Sequence, residues 1–266
     1  MMKNALNIEQ HVELDKFCKI NSIDYLCTPF SLKAALELER SIGLPAYKIG
    51  SGEMLDHPTI MEIMKFGKPM IISTGMSTIE EIDLTYKIVQ AHKPGLVLMN
   101  CTSAYPPSYS DLHVSFTREM KERYPNAVIG YSDHSAGTEI VLAAFILGAI
   151  VIEKHVTLSH TLSGPDQSVS IDFKELKELV NQLTNVSIAL KSKKILHQSE
   201  AEIRSWAHRS LVYNVNLRKG NILNKGDIWG KRPGTGIPSR FIESYIGKTL
   251  RRDVIKNTLV SDEDFI

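Results

Sequence analysis

From Ile23 to Lys191 two patterns alternate along the chain. Short apolar, β-branched runs end in polar residues, and segments with apolar positions at helical spacing separate them. The runs are Ile23–Phe30, Ala46–Gly52, Pro69–Gly75, Leu96–Thr102, Ala127–Asp133 and Ala149–Thr157. The helical segments are Ser31–Ile42, Asp56–Phe66, Thr78–Ala91, Asp111–Tyr124, Gly137–Gly148 and Phe173–Lys191, with Ile8–Ile20 ahead of the first run. Strands spaced by helices predict βαβ units and a parallel sheet. The runs are nearly continuously apolar, as strands covered on both faces are. Ser77-Thr78-Ile79-Glu80 has the hydroxyl-to-glutamate spacing of a capping box. Gly43, Gly67 and Gly148 stand where helices should stop.

Polar residues gather at the C-terminal end of every run: Thr28-Pro29, Lys48 with Ser51, Ser73-Thr74, Asn100 to Ser103, Ser132 to His134, and Glu153 to His155. A (β/α)8 TIM barrel builds its active site at that end of its strands. An open doubly wound sheet gathers ligands only near a switch point, and no GxGxxG follows the first run. The α/β fold expected is therefore a barrel. The six runs fall two short of eight, and a helix precedes the first. The expectation is a TIM barrel lacking its first two βα units, with an open edge.

Beyond Lys191 the texture changes. Residues 1–192 read as the partial barrel, 193–208 as a linker that follows the charged Lys191-Ser192-Lys193-Lys194, and 209–266 as a small β-rich domain. Its signs are β-like pieces at Ser210–Val215 and Asn221–Leu223, turns at Lys219-Gly220 and Lys225-Gly226, and a short helix near Arg240–Ile246.

Composition adds exclusions. The net charge of +1, from 31 basic and 30 acidic residues, argues against a broad basic face for nucleic acid or an anionic membrane. Cys18, Cys27 and Cys101 are too scattered for a disulfide framework or a CxxC zinc site, which suits a reducing cytoplasm. The start, Met1-Met2-Lys3-Asn4, lacks the apolar core of a signal peptide, and Ile140–Ile152, the most apolar stretch, is too short to span a bilayer.

Three groups of residues can carry chemistry. His134 and His155 each end one of two adjacent strands. Two imidazoles converging at a barrel mouth suit a divalent transition metal with open positions, although two unrelated strand-end histidines would leave the same trace. Lys48, Ser51, Ser73, Ser103 and Ser132 offer one ammonium and several hydroxyls for a phosphate or carboxylate; any one serine alone would serve as a helix cap. Glu53 and Asp166 are carboxylates for sugar hydroxyls or proton transfer, or else a helix-start and a turn residue.

Lys48-Ile-Gly-Ser-Gly-Glu53, Ile72-Ser-Thr-Gly-Met76, Cys101-Thr-Ser-Ala-Tyr-Pro106, Gly130-Tyr-Ser-Asp-His134, Glu153-Lys-His155 and Gly164-Pro-Asp166, in this order, resemble the bacterial N-acetylneuraminate (sialic acid) synthases and their nonulosonic-acid relatives. Lys231-Arg-Pro-Gly-Thr-Gly236 and Ile246-Gly-Lys-Thr-Leu250 look like that family's C-terminal antifreeze-like (SAF) module. The resemblance implies a cytoplasmic transferase that condenses phosphoenolpyruvate with an N-acetylated hexose, typically N-acetylmannosamine, and needs a divalent metal, often Mn²⁺. It implies that His134 and His155 hold the metal and that Lys48, Ser51, Ser73 and Ser132 hold phosphoenolpyruvate. Ser103 stands where many members have asparagine, and Glu53, Tyr105 and Asp166 would face the sugar. Arg232 matches an arginine that a neighbouring subunit's SAF module lays over the sugar, which implies a domain-swapped homodimer. Gln167 stands where a histidine is common. The family's first two strands carry a glutamate and a lysine of the site, and no residue before Ile23 matches them, so the expectation includes a chain inactive as it stands. The alternatives are a pseudaminic or legionaminic acid synthase, a non-catalytic remnant, and a metal-dependent aldolase on a similar barrel.

Overall fold

The computed structural model describes residues 5–266; Met1–Asn4, read above for a signal peptide, lie outside them. The described chain divides into two units, the first ending at Lys191 and the second running Ser192–Ile266.

The first unit is an α/β structure around five parallel strands: β1 (Tyr47–Ile49), β2 (Met70–Ser73), β3 (Leu96–Cys101), β4 (Val128–Asp133) and β5 (Val151–Lys154). They pair in chain order, β1-β2-β3-β4-β5, without the order reversal of a doubly wound sheet. A lone parallel bridge, Val156 to Ile171, continues past β5. Helices α1 (Ile8–Ile20) and α2 (Leu32–Ser41) precede β1. Helices α3 (His57–Met64), α4 (Ile79–Val89), α5 (Phe116–Arg123) and α6 (Glu139–Ile146) cross between strands, and α7 (Phe173–Lys191) follows the last. The main core joins Ile49, Met70, Ile72 and Leu98 of the strands to Ile60, Ile63, Ile82, Val89 and Met120 of the helices. Gly43, Gly67 and Gly148 follow helices at positive φ, where a Cβ would be strained.

Two expectations are corrected in this unit. Ile23–Phe30 forms no strand. Tyr25 and Cys27 pack on the core, but Ile23 and Phe30 stay exposed, and Pro29 has no N–H for a ladder. Five strands are present in the sheet, not six, and no strand pairs with the outer edge of β1 among the described residues. The capping box lies one residue later than predicted. Thr78 accepts from the Glu81 amide and Glu81 from the Thr78 amide, while the Ser77 hydroxyl turns back to the Gly75 carbonyl.

In the second unit, strands β6 (Ser210–Tyr213) and β7 (Ile228–Lys231) pair antiparallel. Isolated bridges such as Leu217–Val254 and Ile222–Thr249 extend the β character. Leu211, Tyr213, Leu223, Ile228, Leu250 and Val260 form the core. The short helix predicted near Arg240–Ile246 is a 3-10 turn, Ser239–Ser244. The stretch 193–208, expected as a linker, contains helix α8 (Gln198–Ala207), whose Glu200 side chain accepts from the His197 amide at its start. No helix of the described residues is long and apolar enough to cross a membrane.

Candidate active site

The site lies where the strands end. Successive side chains in a strand point to opposite faces. Ser132 and His134 therefore share one face at the end of β4, and Glu153 and His155 share it at the end of β5. Together with residues from β1, β2 and β3 they line a cavity of about 390 Å³. Its walls include Lys48, Ser51, Glu53, Ser73, Cys101, Ser103, Tyr105, Ser132, His134, Glu153 and His155.

One side of the cavity is cationic and hydroxyl-rich. The Lys48 ammonium lies 3.1 Å from Glu153 Oε1, which also accepts from the Ser132 hydroxyl at 2.8 Å. Ser51 Oγ accepts the Gly75 amide at 3.1 Å and donates to Cys101 Sγ. A Cβ on Gly75 would sit 2.2 Å from Ser103 Oγ and 2.9 Å from Ser51 Oγ, so only glycine lets the hydroxyls approach this backbone. Ser73 Oγ and Glu53 Oε2 are buried and have no hydrogen-bond partner within the protein. A buried polar atom left unmatched costs free energy, so both invite a ligand.

The other side carries the imidazoles. Their ring centroids are 5.2 Å apart, and Tyr105 stacks on His134 at 4.2 Å while meeting His155 edge-on. His134 Nδ1 lies 2.8 Å from the Thr102 carbonyl. A carbonyl only accepts, so Nδ1 carries the proton, and in the neutral ring Nε2 keeps its lone pair. Burial presses His134 toward neutrality, but the Cys101 thiol and the Thr102 carbonyl outweigh it and hold its pKa above the usual value. Burial in turn raises the Cys101 thiol, and hydrogen bonds with His134, Ser51 and Ser103 bring it below its ordinary range. For His155 burial prevails over the nearby Asp166 carboxylate, and its pKa is depressed. Burial raises the Tyr105 phenol.

Of the eleven residues singled out from the sequence, nine line this cavity. Asp166 is half exposed in the following loop, its Oδ2 3.7 Å from His155 Nδ1. Arg232 belongs to the second unit, where its guanidinium lies over the Trp206 ring at 5.2 Å and donates to the Ala207 carbonyl. Glu153 and Cys101 carry no site role in the sequence reading, yet both contact the predicted residues directly. A period-of-two reading would have found Glu153, which stands two residues before His155.

Among the described residues one group of three His and carboxylate side chains converges as metal ligands do: His160, Asp172 and Glu175. It does not include His134 or His155. Its atoms are largely occupied in capping α7, with Asp172 and Glu175 exchanging backbone hydrogen bonds and His160 bound to Glu175.

Comparison with known proteins identifies relatives of both units. Residues 1–195 match the model of the NeuB family, and residues 208–266 match that of the SAF domain. The chain is 33% identical to the N,N'-diacetyllegionaminic acid synthase of Campylobacter jejuni, over 98% of this chain and 79% of that protein. It is 32% identical to the pseudaminic acid synthase of the same species, over 97% of this chain and 75% of that protein. Among solved structures, the N-acetylneuraminic acid (sialic acid) synthetase of Leptospira borgpetersenii superposes with a TM-score of 0.68 at 32% identity, over 74% of this chain and 69% of that one.

Proposed function

Because the chain belongs to the NeuB family, we propose that it joins phosphoenolpyruvate to an acetamido hexose, such as N-acetylmannosamine, to give a nonulosonic acid and phosphate. One observation carries the reading: a single cavity is lined by the Lys48 ammonium, the unpartnered Ser73 hydroxyl and two imidazoles.

Lys48, Ser51, Ser73 and Ser132 take the phosphate and carboxylate of phosphoenolpyruvate through charge-assisted hydrogen bonds. Lys48 is held for this by Glu153. Ser103, Tyr105 and Asp166 face the sugar. His134 and His155 suit a divalent cation such as Mn²⁺: the Thr102 carbonyl fixes the His134 tautomer and leaves Nε2 to bind. When bound, the cation supplies a Lewis acid that polarises the sugar aldehyde. C3 of phosphoenolpyruvate forms the new bond to the aldehyde carbon, and the positive centre left at C2 takes up water. Glu53, buried with one oxygen unpartnered, accepts the proton of that water. The proton taken by Glu53 passes to the alkoxide at the former aldehyde carbon. The C2 hydroxyl gives its remaining proton to the departing phosphate as the C–O bond breaks, and C2 becomes the ketone of the product. Arg232 is assigned to the sugar from a second copy of the chain in a swapped homodimer. The fold that goes with this reading is a partial (β/α)8 barrel in which β1–β5 are consecutive strands.

The test is release of phosphate from phosphoenolpyruvate by the purified chain. N-acetylmannosamine and an N,N'-diacetylated hexose are offered separately and in competition. Release should require sugar, stop with a chelator and return with Mn²⁺. The preferred sugar decides between a sialic acid synthase and the legionaminic and pseudaminic alternatives. Product formed without phosphate release would point to an aldolase. Mn²⁺ binding without turnover of any sugar would leave a remnant.

A further inference from the structure

Behind the two imidazoles lies an ion pair that the proposed chemistry does not use. Asp133 and Lys154 immediately precede His134 and His155 and are direct cross-strand partners at the ends of β4 and β5. Alternation along the strands turns them away from the cavity as it turns the histidines toward it. Both side chains are buried, Asp133 at 0% and Lys154 at 3% exposure, with Lys154 Nζ 2.6 Å from Asp133 Oδ2. The network closes on Ser135, on the far side of His134. Asp133 accepts from both the amide and the hydroxyl of Ser135, and Lys154 donates to the Ser135 carbonyl.

A buried ion pair is weak evidence for stability, because desolvation offsets much of its attraction. Its value here is geometric. The bonds tie the residues on either side of His134 to the residue before His155. Two strand ends free to splay would let the imidazoles drift apart. We infer that the Asp133–Lys154 pair, closed by Ser135, is a positioning clamp that sets the spacing of His134 and His155 and thereby their affinity for a divalent cation. The inference rests on the reading of those histidines as cation ligands.

The test reads cation binding and stability separately, in the full chain. Mn²⁺ binding is followed by electron paramagnetic resonance and Co²⁺ binding by visible absorption, with Tm from circular dichroism. Asp133→Asn/Lys154→Met removes both charges together and leaves no lone buried ion. The clamp predicts a Mn²⁺ affinity about 10- to 100-fold weaker and an altered Co²⁺ spectrum, in a variant whose Tm stays close to the wild type. Wild-type affinity and spectrum in a folded double variant would overturn it. If that variant does not fold, Ser135→Ala decides: weaker Mn²⁺ binding at unchanged Tm supports the clamp, and unchanged binding overturns it. A wild-type chain that binds neither ion, or a His134→Ala variant that binds as well as wild type, would overturn the metal reading itself.

Discussion

At the ends of β4 and β5 the polar atoms are tied to the protein. His134 is held by the Thr102 carbonyl and faced by Tyr105, Ser132 is bonded to Glu153, and the backbone behind them is crossed by Asp133, Lys154 and Ser135. At the ends of β1 and β2 two atoms are left open, Ser73 Oγ and Glu53 Oε2, both buried and unmatched, while Lys48 is paired with Glu153 and Ser51 is bonded to Gly75 and Cys101. The contrast fits two kinds of ligand. Cation affinity depends on ligand geometry set in advance by surrounding hydrogen bonds. A phosphate or carboxylate brings several acceptor oxygens of its own, and the Ser73 hydroxyl, a donor without a protein partner, meets it with no bond to give up. The unmatched Glu53 oxygen is an acceptor and suits a proton or a hydroxyl instead.

His155→Ala should break the comparison most sharply. It removes one of the two imidazoles and with it the Lewis-acid contribution, worth several kcal/mol. Sugar-dependent phosphate release should fall by about three orders of magnitude or more. Steady-state kinetics under saturating Mn²⁺ measure it, and activity within tenfold of wild type would remove His155 from the site.

Gly75→Ala strikes the open half next. The new methyl would lie within 3 Å of both Ser51 Oγ and Ser103 Oγ, so the hydroxyls must move. Misplacement by about 1 Å costs on the order of a hundredfold in rate. We expect a kcat/KM for phosphoenolpyruvate lower by that factor, with Mn²⁺ affinity affected less, because the closest contacts of the new methyl are the Ser103 and Ser51 hydroxyls and Cys101 Sγ follows at 3.2 Å. Loss of Mn²⁺ binding in this variant would show that the halves are not separable.

Where the site gathers was legible in the sequence, because apolar runs ending in polar residues announce strand ends that gather chemistry. The errors have local causes. Ile23–Phe30 has the composition of a strand, but Pro29 and its exposed Ile23 and Phe30 leave it outside the sheet. Both Ser77 and Thr78 can cap a helix, and only the folded loop, with Ser77 bonded to Gly75, selects Thr78. Gln198–Ala207 follows the charged Lys191–Lys194 segment and buries none of its residues, so no core-facing pattern marks it as a helix. In the site, residue types predicted which side chains would line the cavity, because their strand positions determine that. They did not predict which atoms would be satisfied. That Ser132 is bonded while Ser73 is orphaned depends on Glu153 reaching across from β5, a tertiary fact that no local spacing encodes.

Those two serines give the smallest effects and the finest form of the comparison. Ser73 is the last residue of β2 and Ser132 the last but one of β4; both are buried, and both are assigned to phosphoenolpyruvate. Ser73→Ala removes a hydroxyl with no protein partner, so stability should hold or rise slightly. The KM for phosphoenolpyruvate should increase by about tenfold, since a hydrogen bond to a charged ligand is worth roughly 1.5 kcal/mol or more. Ser132→Ala also breaks the bond to Glu153 Oε1. It should lower stability by about 1 kcal/mol, in addition to its effect on KM. Urea unfolding of the two variants beside the wild type, without ligand, measures the difference. Equal stability losses would mean that Ser73 has a partner in the protein after all, and the open half of the cavity would then be as preorganised as the half that holds the imidazoles.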